Sequence, residues 1–203
     1  GGILILADEA TRAEALRRTV AAGINWIDTA ASYGNGVSET VIGRYLAGLA
    51  PRPQISSKVR LAPDELADIP GAVERHLAAS LKRLGVDRIA LYQLHNQLGG
   101  TDVTRSMPVE FVLKKGGVAD SLDRLKAQGL FAAMGMTALG ETRACLEVIE
   151  SGRFESAQVY YNLLNPSAAW AKAPAGWAAQ DFSGLIDACK RRGMAIMNIR
   201  ALA

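Results

Sequence analysis

The sequence predicts an α/β fold of the (β/α)8 TIM-barrel type, incomplete at about seven strand–helix units. Three observations carry this. Amphipathic helices alternate with short apolar strands along the whole chain, most helices close on a glycine, and nothing reads as a hairpin between successive strands. Such alternation implies parallel strands joined by right-handed crossovers. A closed barrel takes roughly 250 residues, whereas this chain has 203. An eighth strand and its helix are therefore expected to be missing, and residues 1–203 read as one partial barrel domain.

The strands follow from short apolar runs bounded by turn residues: Ile3 to Ile5, Asn25 to Asp28, Gln54 to Ser57, Ile89 to Leu94, Ala132 to Met136, Ser156 to Tyr160 and Ala195 to Ile199. Between them the apolar spacing is helical. Ala13, Leu16 and Val20 form one stripe, with Thr11 and Glu14 matching a capping box and Gly23 able to end the helix. Helix Ser38 to Ala47 stops at Gly48. Val73, Leu77, Leu81 and Leu84 precede Gly85; Val118, Leu122 and Leu125 precede Gly129; Thr142 to Glu150 closes at Gly152; Leu185, Ile186 and Cys189 precede Gly193. Two irregular stretches, Asn96 to Gly117 and Asn162 to Gln180, follow strands. Both are expected to overhang the face where strands end and to wall a pocket.

Composition narrows the class. About half of the residues are apolar and 21% are charged, with a formal charge of +3. The basic runs are short, Lys114-Lys115 and Lys190-Arg191-Arg192, and the second answers a helix C-terminus. No dense basic face interleaved with aromatics marks a nucleic-acid binder. No apolar run is long enough for a membrane span. Cys145 and Cys189 sit among apolar residues on two predicted helices and read as reduced core residues, which fits a cytoplasmic setting. The chain opens on Gly1-Gly2 without an initiator Met, as a trimmed piece would.

The chemistry gathers at strand ends. Asp28, Lys58 and His95 each fall at or just past the C-terminal end of a different predicted strand, and Tyr33 lies in the loop after the first. In a parallel barrel those ends share one face, where catalytic groups collect. A phenol is a slow acid at neutral pH. An adjacent ammonium favours its ionised form, and a carboxylate such as Asp28 holds that ammonium in place. An imidazole can orient a carbonyl oxygen. The set is suited to delivering a proton to an oxygen that gains negative charge. Carbonyl reduction by hydride transfer has this need, and because no side chain supplies hydride a nicotinamide cofactor is implied. Alone, Asp28 and Lys58 also read as a structural ion pair and His95 as a satisfied half-buried histidine. His76 lies mid-helix beside charged residues and reads as solvent-facing. Neither histidine has a second ligand at metal spacing, so no metal site is expected. Gly34-Asn35-Gly36 reads as a turn, and Trp170 and Trp177 either line a pocket or cover the barrel.

The chain resembles the aldo-keto reductase superfamily over nearly its whole length. The resemblance rests on Gly23-Ile24-Asn25-Trp26-Ile27-Asp28-Thr29-Ala30 with Tyr33-Gly34, then Ser38-Glu39, Ile42-Gly43 and Ser57-Lys58. It continues in Ser80-Leu81-Lys82-Arg83-Leu84-Gly85 and Leu91-Tyr92-Gln93-Leu94-His95. Its Leu-His-Asn and Asn-Ile-Arg wording is closer to the bacterial sugar and small-aldehyde dehydrogenase branch.

The resemblance implies a barrel that binds NADP(H), or NAD(H), without a Rossmann fold and acts on a small carbonyl or sugar substrate. The reaction interconverts an aldehyde or ketone with the alcohol or lactone. Tyr33 would be the general acid, Lys58 would tune it, Asp28 would hold Lys58 and His95 would position the carbonyl. Asp28, Thr137 and Gln158 would be the cofactor-binding residues, the latter two contacting the carboxamide. Ala138 stands where the family usually has Asn, Ile199 where many members stack an aromatic, and Ala90 where Asp is frequent. Most of the family's phosphate clamp would lie beyond Ala201-Leu202-Ala203. Two rivals accompany this reading: a non-catalytic dinucleotide-binding protein that reports to a partner, and an inactive fragment whose outer strand edges drive association.

Overall fold

A computed structural model describes residues 2–201; Gly1 at the start and Leu202-Ala203 at the end lie outside the described residues. The chain begins with helix α1 (Gly2–Leu6) and helix α2 (Glu9–Ala21), followed by β1 (Trp26–Asp28), α3 (Val37–Leu46) and β2 (Gln54–Val59). A 3-10 turn (Pro63–Asp68) leads into α4 (Ile69–Leu84), β3 (Ile89–Leu94), the short α5 (Val109–Leu113), α6 (Val118–Ala127) and β4 (Phe131–Thr137). Then come α7 (Thr142–Glu150), β5 (Ser156–Tyr160), α8 (Leu185–Arg191) and β6 (Ala195–Ile199).

The first expected strand is a correction. Ile3 to Ile5 is helical, so the described residues form six strands and not seven. A short unbroken apolar run does not distinguish helix from buried strand by periodicity, and tertiary contact decided this one. Leu4 is buried while Ile3 and Leu6 are exposed, and Arg12 Nη2 donates to the Ile5 carbonyl at 2.8 Å. The cap of α2 is a second correction. Asp8 is the N-cap: its carboxylate accepts from Thr11 N at 2.9 Å and from the Thr11 hydroxyl at 2.8 Å. Glu14 instead pairs with Arg17 and Arg18. The helix thus starts one turn earlier than the Thr11–Glu14 spacing indicated.

All strand pairs are parallel and their order is sequential, β1 through β6. A doubly wound sheet reverses strand order and covers both faces with helices; a barrel does not reverse. The alternation of side chains agrees. One face carries Ile27, Ile55, Val59, Tyr92, Leu94, Met134, Met136, Ala157 and Val159, all in the buried apolar core beneath the helices. In register on the other face lie Asp28, Ser56, Lys58, Gln93, Gly135, Thr137, Ser156 and Gln158. That inner face is mainly polar, with Leu91 and Met197 also in register on it, and it curls. Adjacent strands are about 4.8 Å apart, so β1 and β5 of a flat sheet would lie about 19 Å apart across four spacings. Yet Gln158 Nε2 reaches Asp28 Oδ1 at 2.9 Å. The sheet is an open, partly closed barrel wall.

Several family-motif residues serve this frame. Glu39 is fully buried, accepting from Ser57 Oγ and from Arg83 Nε at 2.7 Å. Gly43 lets α3 press on the end of α4, because a Cβ there would meet the Arg83 carbonyl oxygen at 2.3 Å. Gly34, Asn35 and Gly36 are consecutive left-handed residues, φ 62°, 51° and 89°, forming the turn that delivers the chain from Tyr33 into α3. Cys145 and Cys189 are free and buried. Arg191 and Arg192 both pair with Glu150 at the end of α7. No helix among the described residues is long and apolar enough to cross a membrane.

Candidate active site

The residues singled out at strand ends converge. Lys58, on β2, has a fully buried side chain and an ammonium with three donors. Nζ donates to Asp28 Oδ2 at 2.6 Å and to the Thr29 carbonyl at 2.7 Å, and lies 3.4 Å from the Tyr33 hydroxyl oxygen. Its position is therefore fixed from three sides. Asp28, at the end of β1, accepts on its other oxygen from Ser56 Oγ at 2.6 Å and from Gln158 Nε2 at 2.9 Å, with Gln93 Nε2 at 3.4 Å. Trp26 Nε1 in turn donates to Ser56 Oγ at 3.2 Å.

His95 follows β3 directly. Its backbone N–H donates to the Val59 carbonyl at 2.7 Å, which continues the β2–β3 ladder past the strand end. The ring stands edge-on to Tyr33 with centroids 5.7 Å apart, and Nδ1 is 3.3 Å from Ser32 Oγ. Burial, reinforced by the charge of Lys58, pushes the His95 imidazole down to about 4 against the opposing pull of Asp28. It is a neutral ring at physiological pH, able to hydrogen-bond a carbonyl without carrying charge. Tyr92, the neighbouring phenol in sequence, faces the helices, and burial raises it far above the ordinary range. It is no candidate acid.

Thr137 and Gln158 are paired in register at the ends of β4 and β5. The Thr137 hydroxyl donates to the Leu94 carbonyl at 3.3 Å. Gln158 directs its amide N–H at Asp28, which leaves its carbonyl oxygen as an acceptor. With the Thr137 proton on Leu94, both residues offer acceptor oxygens, which suit the NH2 of a primary amide, and Ala138 offers no side-chain partner. A cleft of about 650 Å³ lies beside the four-residue cluster and not on it. It opens two residues beyond His95, Thr137 and Gln158, at Gln97, Leu139 and Tyr160, and is bordered by Arg105, Asn165 and Arg200. Both long loops wall it, as expected. Asn165 organises the second loop by accepting from Ser167 and donating to the Gln180 carbonyl at 2.8 Å.

Trp170 and Trp177 pack edge-to-face on each other at 5.0 Å over that loop, and the cleft is bordered instead by Ala179 and Gln180. His76 corrects the sequence reading. It is half-buried, with Nε2 2.9 Å from Glu65 Oε1, because the 3-10 turn before α4 folds Glu65 back over the helix. Sequence reasoning also passed over Ser56, Gln93 and Ser32. Ser56 had a signal, since strand alternation places it on the face of Lys58; Gln93 and Ser32 had only their adjacency to matched residues. Among the described residues no cluster of three or more His, Cys, Asp or Glu could hold a metal ion.

Comparison with known proteins assigns the chain to a family. A family model described as "Aldo/keto reductase family" matches residues 7–203. The chain belongs to that family. It is 30% identical over 159 residues to the NADH-specific methylglyoxal reductase of Escherichia coli, covering 70% of this chain and 45% of that protein. It is 35% identical over 133 residues to an aldo-keto reductase of Mycolicibacterium vanbaalenii, covering 64% and 42%. The chain thus spans less than half the length of these curated relatives. Among solved structures, an aldo/keto reductase from Klebsiella pneumoniae in complex with NADP and acetate superimposes with a TM-score of 0.71 at 23% identity, covering 96% of this chain and 59% of that one. That likeness concerns the fold.

Proposed function

We propose that this chain forms the proton-transfer half of a nicotinamide-dependent aldehyde or ketone reductase, with Tyr33 as the general acid. The observation that carries the reading is the buried ammonium of Lys58, aimed at once at Asp28, Thr29 and the Tyr33 oxygen. A hydrogen bond from Lys58 to that oxygen leaves the phenolic proton free to point away, toward an incoming carbonyl. As the proton leaves, the negative charge growing on the phenol faces a fixed positive charge that needs no reorganisation. Asp28 keeps the pair close to neutral, and its second oxygen is held by Ser56 and Gln158. The neutral His95 ring, edge-on to Tyr33, orients the same carbonyl oxygen. In the reverse direction Tyr33 takes the proton back.

A reduced nicotinamide, when bound, supplies the hydride to the carbonyl carbon. Thr137 and the Gln158 carbonyl oxygen would hold its carboxamide. NADP(H) is supported by the ligand of the Klebsiella pneumoniae structure and NAD(H) by the name of the Escherichia coli relative. The test is an NADPH titration of this chain, followed by quenching of tryptophan fluorescence, together with turnover of a panel of small aldehydes. Tyr33→Phe should keep cofactor affinity within about twofold while kcat falls by roughly 10²–10⁴. A variant with the parental rate would remove Tyr33 from the role of acid. Saturable binding with no turnover of any carbonyl would favour a non-catalytic dinucleotide-binding protein.

A further inference from the structure

We propose that the carbonyl substrate carries an anionic group, a carboxylate or a phosphate, and that Arg60 binds it. The inference deepens the reading above, since it takes Tyr33 and His95 as the carbonyl end of the site. Arg60 stands two residues beyond Lys58, immediately after Val59, whose carbonyl is bonded to the His95 backbone. Two hollows flank it. One, of about 280 Å³, is bordered by Ser32, Asn35, His76 and Arg83, and the other, of about 270 Å³, by Asn96, Thr104 and Arg105. No Asp or Glu borders either hollow.

The other basic groups there already face carboxylates. Arg83 Nε bonds Glu39, His76 Nε2 bonds Glu65, and Arg105 Nε lies 3.5 Å from Asp102. Arg60 makes no ion pair among the described residues, so the uncompensated charge of the two hollows is concentrated on it. Ser32 connects the first hollow to the chemistry, because its hydroxyl is 3.3 Å from His95 Nδ1. A carbonyl held at His95 with a substituent extending past Ser32 therefore leads toward Arg60. A guanidinium binds carboxylate or phosphate through two parallel hydrogen bonds, with a geometry a neutral substituent cannot match. The charge of Arg60 is also felt at His95, where it adds to the forces holding the ring unprotonated.

The experiment compares kcat/KM for 4-oxobutanoate with that for butanal, and for glycolaldehyde phosphate with that for glycolaldehyde, at saturating NADPH. The anionic member of at least one pair should be preferred by roughly tenfold, and which pair shows it tells carboxylate from phosphate. Arg60→Gln should remove that preference through KM, and Arg60→Lys should restore part of it. A preference that survives in Arg60→Gln, or none in the parent, overturns the proposal. If no aldehyde is turned over, the reading of the catalytic cluster is what fails. Binding then decides separately: butanedioate and inorganic phosphate, titrated calorimetrically, should bind the parent chain roughly tenfold more tightly than Arg60→Gln, with affinity falling as salt rises. Equal affinities, or no binding of either anion, overturn it.

Discussion

Gln158 donates a hydrogen bond to Asp28 across 2.9 Å, although the two residues stand on the fifth and first strands of the sheet. The contact does two things. It closes the polar inner face, and it loads the carboxylate that anchors Lys58. Removing the donor while keeping the volume, as in Gln158→Leu, is expected to cost about 1–2 kcal/mol. Urea denaturation measures this. An unchanged midpoint would show that the helices alone hold the sheet curled.

Lys58→Met tests the ammonium. Turnover should fall by roughly 10²–10⁴, and stability should drop because Asp28 loses its counter-charge. Adding Asp28→Asn should return most of the stability and none of the turnover. A double variant that regains activity would show that the pair is structural, the reading each residue has when taken alone.

The depressed imidazole of His95 has a definite sign. Its ordinary value is 6.5 and in the fold it is about 4, so the unfolded chain takes up the proton first. The contribution of this group to stability is complete above pH 6.5, declines as pH falls through the window between the two values, and is lost below about 4. The ring proton resonances of His95 in an NMR titration should show no protonation step between pH 5.5 and pH 8, a range that holds the ordinary histidine value. A midpoint near that ordinary value would mean that the ring is hydrated and not held against Tyr33.

Gly43→Ala is expected to destabilise the chain by about 1–3 kcal/mol through overpacking. The new methyl would meet backbone atoms of Arg83 and Leu84 at 2.3 to 2.9 Å, and backbone cannot swing aside as a side chain can. Thermal unfolding checks it, with Gly48→Ala, whose new methyl would come no nearer than 3.7 Å to the Tyr45 carbonyl oxygen, as the reference.

Cys145 and Cys189 should resist thiol reagents in the native state and react on unfolding. Burial pushes their thiols up to about 12 and about 11, so almost no thiolate is present at neutral pH. Rapid labelling of the folded chain by a chromogenic disulfide would contradict the packing of α7 against α8.

Much of this was legible from the chain alone. The strand ends at Asp28, Lys58 and His95 could be placed because glycines and turn residues bracket each strand, and parallel order follows from alternation. The Ile3 to Ile5 segment was misread because four apolar residues in a row suit a helix packed on one side as well as a strand. His76 was misread because Glu65, its partner, comes from a turn whose folding back is a tertiary event. Ser56 and Gln93 were legible only as strand residues. That they serve Asp28 depends on curvature, and no local spacing encodes the curvature of a sheet.

His95 is placed by its own main chain and by its neighbour: its amide bonds Val59, and the side chain of the next residue, Asn96, clips both the N–H and the carbonyl of Leu61 at 2.9 and 2.8 Å. The address of position 95 is thus written in groups that do not titrate. Substituting the imidazole would change what is said at that address without moving it. A scaffold of this kind can acquire a different reaction by exchanging one side chain, because the instruction for where to stand and the choice of what to do there belong to different residues.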